Sequence, residues 1–567
     1  MPTRNIKNTV LSAMVGALVA SSTLAVTVND VAGLQDAIRG ASAGSEILVA
    51  AGTYDLSTEP CMSRAGHLYA TVRIALRGAT GKPEDVVLVG MTNRILYLAA
   101  SGNTISGLTF KDGKPTSNPK VTSGAEPYDQ HDGGAILLRA DKDESTITNC
   151  VFMGNKARFG GAIANYYAAS TSKLRYGGNV IDCIFTNNEA TTIGGAAFNI
   201  GLIRHCTFED NRCVQNGGAV YQVHDMSESI FTGNRTTGAS DGFGGGALYQ
   251  AGTISGDNLT VRNCSFSGNI SATVGGACFN VHDIAGCSFA GNEAETGGAV
   301  YDCDVECSAF SGNTATSQGG AAYNCRLVCC TNGANTCGSA YGSELRDCNA
   351  MRCVFNGVGK KDASAFYSCT FDSCRILSAE NCNLFGAGVC MTNSLISGCG
   401  RKCYLFHGCT KRTELINCTI VSNNFADIKY GGTVACVIDF VNCYFYGNRM
   451  YSSNYDFSGP HVVDVVRSAN CCILSKSDEV NVSGEDNLYY SVASFNPGFV
   501  GASKNPEDPY ALRLMSPAHS KHGLILDWMA SATDIRGDVY ARLRDGFVDI
   551  GCYQCWIDPV GFVVRVR

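Results

Sequence analysis

From residue 133 to 322 the chain is made of short runs of alternating apolar and polar residues, each broken by Gly or Asn. No run sustains a helical stripe, so the pattern predicts short strands joined at tight corners. In Gly217-Gly-Ala-Val-Tyr-Gln-Val-His224, Ala219, Tyr221 and Val223 share one parity, and Val220, Gln222 and His224 the other. A strand alternates its faces, so the first set is expected to face the core.

These runs recur. Gly-Gly-Ala triplets start at Gly133, Gly160, Gly194, Gly217, Gly245, Gly275, Gly297 and Gly319. Phe-x-x-Asn segments start at Phe152, Phe185, Phe208, Phe231, Phe266, Phe289 and Phe310. The shortest complete periods are 21 to 23 residues, as from Phe289 to Phe310 and from Phe185 to Phe208. A short fixed period predicts a solenoid, which offers a long rigid surface of stacked equivalent positions. Asn suits the corners because it tolerates left-handed backbone, and Gly turns without a Cβ clash. Coils of this length stacked in register predict an all-β fold, a single-stranded parallel β-helix solenoid. Equivalent residues then lie about 4.8 Å apart.

The pattern divides the chain into five segments, the repeat region among them. Residues 1–25 read as a signal peptide: Arg4 and Lys7 are basic, Val10 to Ala20 is apolar, and Thr23-Leu24-Ala25 suits cleavage. Residues 26–110 hold an N-terminal cap and the first coils. Asp30 can cap a short helix with Val31, Leu34 and Ile38 on its apolar side, a lid for the open end of the stack. Residues 111–325 are the repeat region, entered through a polar loop at 111–132. Residues 326–463 continue as degenerate, Cys-rich coils, and 464–567 form a closing segment. No later stretch has membrane-spanning length, so the processed chain is expected to carry no transmembrane segment and to be secreted or held at the outer cell surface.

The net charge is −7, only 16% of residues are charged, and no basic stripe occurs, which argues against nucleic acid as a partner. The 30 cysteines do not read as an ordinary disulfide framework. Cys150, Cys183, Cys206, Cys264, Cys287, Cys353, Cys369 and Cys443 each stand two residues before a Phe and share its parity, so they are expected to point inward as a stacked row. Buried thiols and disulfides between neighbours such as Cys183 and Cys206 both fit that row. Cys552 and Cys555 form a lone C-x-x-C without a second pair, a weak zinc signal, and no metal or cofactor is expected.

The start of the chain, V-N-D-V-A-G-L-Q-D-A-I through G-S-E-I-L-V-A-A-G-T-Y54, resembles the cap and first coil of pectin-lyase-like right-handed β-helix proteins. The Gly-Gly-Ala and Phe-x-x-Asn repeats resemble those of the polymorphic outer membrane proteins. Asp534-Ile-Arg-Gly537 with Val548-Asp-Ile-Gly-Cys-Tyr553 resembles the closing segment of many secreted bacterial β-helix proteins. The resemblance implies a right-handed helix. It leaves function open, because the fold hosts lyases, hydrolases, adhesins and passenger domains alike. The polymorphic outer membrane proteins also end in an autotransporter barrel, for which no room is expected after the solenoid.

Candidate chemistry comes from the residues that follow each Gly-Gly-Ala. One row is Asn199, Gln222, Gln250, Asn280, Asp302 and Asn324, expected at the surface as an amide ladder or a solvated strand face. Two residues on lie Gly201, His224, Gly252, His282, Asp304 and Arg326. The aromatic row Phe198, Tyr221, Tyr249, Phe279, Tyr301 and Tyr323 has the opposite parity and is expected in the core. His282, Asp304 and Arg326 are the candidate catalytic residues: a His beside a carboxylate and an Arg suits acid–base chemistry on an acidic sugar. A hydrolase would need two carboxylates, for which Asp302 or Asp304 with Asp283 is the nearest pair. Candidate binding residues are Asp129, His131 and Asp132 beside the first triplet, and Tyr166 and Tyr167 in the insertion at 164–178. That insertion and another at 235–243 are the two able to wall a cleft.

Two functions compete. The first is a non-enzymatic exported solenoid for adhesion or surface display, its partner an extracellular glycan or a protein on a host or neighbouring cell. The second is a carbohydrate-active enzyme, a polyuronate lyase or glycoside hydrolase. Short corners and many near-identical coils favour the first. A metal-binding surface protein has only scattered acidic and Cys residues behind it.

Overall fold

The computed structural model describes residues 25–450, apart from 64–65, 116–130, 140–142, 166–175, 251–259, 338–344, 357–363, 431–437 and several shorter breaks, together with short strands and single residues beyond 465. Residues 1–24, Asp129, Tyr166, Tyr167, Cys552 and Cys555 lie outside the described residues.

The chain winds as a parallel β-helix, and every pairing between its named strands is parallel and links a coil to the next. Parallel crossovers take the right-handed form. The entry is capped by the helix Val31–Arg39. Asp30 accepts from Gly33 N at 2.7 Å at its start, and Val31, Leu34 and Ile38 are buried against the first strands. The stack continues through the degenerate region: Val354–Asn356 pairs with Arg375–Leu377, and Ile438–Val441 with Val466–Ala469.

Three sheets run the length of the repeats. The first holds the strands after each Gly-Gly-Ala, the second the Phe strands, and the third the strands after each Phe-x-x-Asn. Phe110, Phe152, Phe185, Phe208, Phe231, Phe266, Phe289 and Phe310 form one buried column, with successive ring centroids 4.6 to 5.1 Å apart and ring planes nearly parallel. Offset stacking of this kind adds to the burial of large rings. The column ends where Asn332 takes the position below Phe310.

The Asn of Phe-x-x-Asn has a different task from the one expected. The left-handed residue is the one before it: Gly154, Asn187, Asp210, Gly233, Gly268, Gly291 and Gly312 have φ between 52° and 66°. The Asn itself turns inward and is fully buried at 155, 188, 211, 234, 269, 292 and 313. Asn292 Nδ2 donates to Phe266 O at 3.0 Å and to Asn313 Oδ1 at 2.9 Å, while its Oδ1 accepts from the backbone N and the Nδ2 of Asn269, both at 3.0 Å. The same bonds recur from coil to coil, so the ladder satisfies backbone groups that the corner removes from the sheets.

The Gly-Gly pair closes the opposite corner. Gly194 has φ 64°, and a Cβ on Gly195 would lie 1.9 Å from Gly218 O of the next coil. One glycine supplies the left-handed turn and the other the close approach of successive coils.

The inward cysteine row is present. Cys150, Cys183, Cys206, Cys264 and Cys287 are buried thiols. Desolvation pushes Cys183 and Cys206 well above the ordinary thiol range. Ser229, Ser308 and Ser394 take the same rung in three coils, each accepting the backbone N–H of the coil before, from Cys206, Cys287 and Cys374. Small size with one donor and one acceptor is what the rung needs, and Cys and Ser both supply it.

Candidate functional site

The outer face of the first sheet carries the candidate residues, and there the structure departs from the parity reading. Ala219 and Val223 face inward as expected, but so does Val220, and Tyr221 points outward. The reason is Gln222, whose φ of 60° breaks the alternation. Asn199, Asn280, Asp302 and Asn324 adopt the same left-handed conformation, with φ between 53° and 59°. The first polar row is therefore a corner rather than a solvated strand face. Asn199, Gln222 and Gln250 are buried in it, and Asn324 Nδ2 donates to Asp302 Oδ1 at 3.0 Å.

The aromatic row is likewise not core. Phe198 is covered, but Tyr221, Tyr249, Phe279, Tyr301 and Tyr323 are only partly buried and form an exterior ladder, with centroids 5.0 to 5.5 Å apart. Val220, Leu248, Cys278, Val300 and Ala322, one residue earlier, fill the interior instead. The outer rings lie over the glycine corner: a Cβ on Gly194 would meet Tyr221 Cβ at 3.2 Å. Where rings stack, as Tyr301 on Tyr323 at 1°, each covers its neighbour's face and turns its edge to solvent.

His282, Asp304 and Arg326 do come together. His282 Nδ1 lies 3.6 Å from Asp304 Oδ2, and Arg326 Nε lies 3.8 Å from Asp304 Oδ1. His282 Nε2 is 2.9 Å from Asn280 Oδ1. The coil of His282 carries one residue more than the next between its left-handed corner and the following strand. Ile284 therefore pairs with Val305, and His282 reaches Asp304 diagonally. The three side chains are 37%, 41% and 58% exposed, so water screens the group. Asp283 is held by Arg262 through both carboxylate oxygens, at 2.6 and 2.7 Å, which ties up the carboxylate that a two-acid mechanism would use. Below the row, a shallow groove of about 210 Å³ starts at Arg326 and runs past Asn349, Thr370 and Cys390.

The other candidates are placed as follows. Asp132 is buried and holds Arg158 in a two-pronged pair, Nε to Oδ1 and Nη2 to Oδ2, both at 3.1 Å. Its carbonyl accepts from the fully buried Arg94 at 2.6 Å. His131 is partly buried at the same turn. Of the two insertions, 235–243 leaves the third sheet at Arg235–Thr236, and its Phe243 ring packs near Gly238. Tyr176, at the end of the other, lies 5.7 Å from the His224 ring. No group of three or more potential metal ligands occurs among the described residues.

Residues 308–325 match the Chlamydia polymorphic membrane protein repeat. No curated protein matches the chain in sequence. Among solved structures the chain is similar to tailspike protein 3 of bacteriophage CBA120, at 11% identity and a TM-score of 0.30, over 81% of this chain and 60% of the tailspike. It thus spans less than two thirds of that protein. It is also similar to the PL6 family alginate lyase AlyGC (10% identity, TM-score 0.22, 83% of this chain and 98% of that one). PfbA, a surface adhesin of Streptococcus pneumoniae, is a third (12% identity, TM-score 0.23, 75% and 92%). The chain is a right-handed parallel β-helix that carries a polymorphic membrane protein repeat in its coils.

Proposed function

We propose that this protein is an exported β-helix that displays its repetitive outer face for adhesion at the cell surface, without turnover of its own. Its partner is an extracellular glycan or a surface protein of a host or neighbouring cell. The observation that carries this reading is the open position of the His282–Asp304–Arg326 group, whose side chains are 37% to 58% exposed on a sheet face. Catalysis by electrostatics needs a water-excluded site, where charges act at full strength. The repeat match at 308–325 supports the same reading.

The same group motivates a second reading, a polyuronate lyase or glycoside hydrolase. In it His282 takes a proton, Asp304 orients the imidazole, and Arg326 neutralises a uronate. One experiment separates the two. The full chain is screened on a glycan array and against soluble polysaccharides, following the ultraviolet absorbance of unsaturated uronates and the appearance of reducing ends. Binding without product is expected. Product that disappears in His282→Ala would replace the adhesion reading with the enzymatic one.

A further inference from the structure

We propose that Cys61, His67 and Asn93 form a nucleophilic thiol site in the N-terminal cap, and that this site exchanges with low-molecular-weight disulfides. Cys61 stands apart from the other cysteines. It lies ahead of the repeats and is exposed, whereas the row cysteines are buried.

Antiparallel backbone bonds between residues 62–63 and 66–67 hold the site. Met62 N donates to His67 O at 3.1 Å, and Ser63 and Gly66 exchange backbone bonds at 3.3 Å. This pairing sets Cys61 Sγ 3.3 Å from His67 Nδ1. The His67 ring is 1% exposed, and its Nε2 lies 2.7 Å from Gly90 O. A carbonyl oxygen accepts and cannot donate, so Nε2 must carry the ring hydrogen. In the neutral ring Nδ1 then holds a lone pair, and the hydrogen bond to it comes from the Cys61 S–H. Burial lowers the His67 pKa below the ordinary imidazole value, although the Gly90 bond and Asp55 act the other way. The ring is therefore neutral near pH 7, which leaves its Nδ1 lone pair facing the thiol.

Asn93 completes the arrangement. Its Nδ2 donates to Cys61 Sγ at 3.4 Å, a bond that strengthens when the sulfur becomes a thiolate. Its Oδ1 accepts from Arg94 N at 2.8 Å, and its carbonyl accepts from Lys114 N at 3.0 Å, so the amide cannot flip without losing a partner. Nucleophile, base and orienting acceptor are thus all within hydrogen-bonding reach. The coil cysteines are built differently. Cys183 Sγ donates to Ile181 O at 3.2 Å, and a carbonyl cannot take the proton.

The chemistry balances with the disulfide as oxidant. His67 Nδ1 accepts the proton of Cys61, and the thiolate attacks one sulfur of the disulfide. A new S–S bond forms as the old one breaks, and the departing thiolate leaves with the proton from His67. The products are a mixed disulfide on Cys61 and one free small thiol.

The test incubates the full chain with glutathione disulfide and follows each cysteine by peptide mass spectrometry. Cys307 and Cys390 serve as exposed controls, and buried Cys183 reports an intact fold. We expect Cys61 to react about 100-fold faster than Cys307 near pH 7, the scale of general-base assistance. His67→Gln should bring it down to the Cys307 rate while Cys183 stays protected, and Asn93→Ala should slow it by a smaller factor. A Cys61 rate no higher than that of Cys307 overturns the proposal. So does a fast Cys61 that is indifferent to His67→Gln with Cys183 still protected, since exposure alone would then explain it.

Discussion

Asn292→Ala tests the reading of the internal amide ladder. The substitution removes both donors to Phe266 O and Asn313 Oδ1, and the acceptor of the backbone N–H and side-chain amide of Asn269. Asn313 Oδ1 keeps the backbone N–H of residue 292, and Asn269 Nδ2 keeps Phe231 O. One backbone group, Asn269 N–H, is left without its partner in a dry interior, and Phe266 C=O loses one of its donors while keeping its place in the strand ladder. Such an orphan costs about 1–3 kcal/mol and each further lost hydrogen bond about 1, so the variant should lose about 3 kcal/mol of stability. Chemical denaturation followed by circular dichroism measures the total, and hydrogen exchange should show the Asn269 amide losing protection first. Asn292→Asp keeps the acceptor for Asn269 N but sets a buried carboxylate oxygen against Phe266 O and Asn313 Oδ1, so near pH 7 it should cost at least as much as Asn292→Ala. A loss below about 1 kcal/mol for Asn292→Ala would refute the ladder, because a satisfied buried pair cannot be removed so cheaply.

Three further outcomes are expected. In Gly195→Ala the new methyl would meet Gly218 O at 1.9 Å and Arg212 N and O at 2.7 Å; a loss of about 3 kcal/mol or more should show as a lowered melting temperature and soluble yield. Phe289→Ala, in the inner column, should cost about 3–5 kcal/mol. Tyr301→Ala, in the outer ladder, should cost roughly half as much because its ring is only partly buried; equal losses in denaturant titrations would contradict the two-ladder arrangement. Desolvation pushes the Cys213 and Cys399 thiols up to about 12 from an ordinary 9.0. A thiol raised in the folded state contributes its stability in full below the unfolded value and loses it as pH rises toward the folded one. Stability should therefore be unaffected by these groups below about pH 9 and fall between about 9 and 12, as read from denaturation midpoints across that range.

The amino-acid sequence by itself determined the coil path. Repeats of 21 to 23 residues admit one regular stacking, and Phe, Cys and the capping helix with Asp30, Val31, Leu34 and Ile38 took the places their patterns demanded. Side-chain parity was reliable there because each strand runs unbroken from corner to residue. It failed at Tyr221 and its equivalents, where the left-handed residue that follows resets which face is inside. Nothing in a linear pattern marks that reset, since Asn and Asp adopt either conformation at little cost, Gln222 is held in the left-handed one at some cost, and the neighbouring coil selects one. The inward turn of the ladder asparagines was equally hidden, because it depends on carbonyls one coil away, such as Phe266 O for Asn292. His282, Asp304 and Arg326 were found from spacing alone, whereas the contact of Cys61 with His67 and Asn93 was not. The one signal available was that Cys61 falls outside the Cys rows. Only the tertiary structure could bring Asn93 to Cys61 across 32 positions, because that contact follows from where one coil settles on the next.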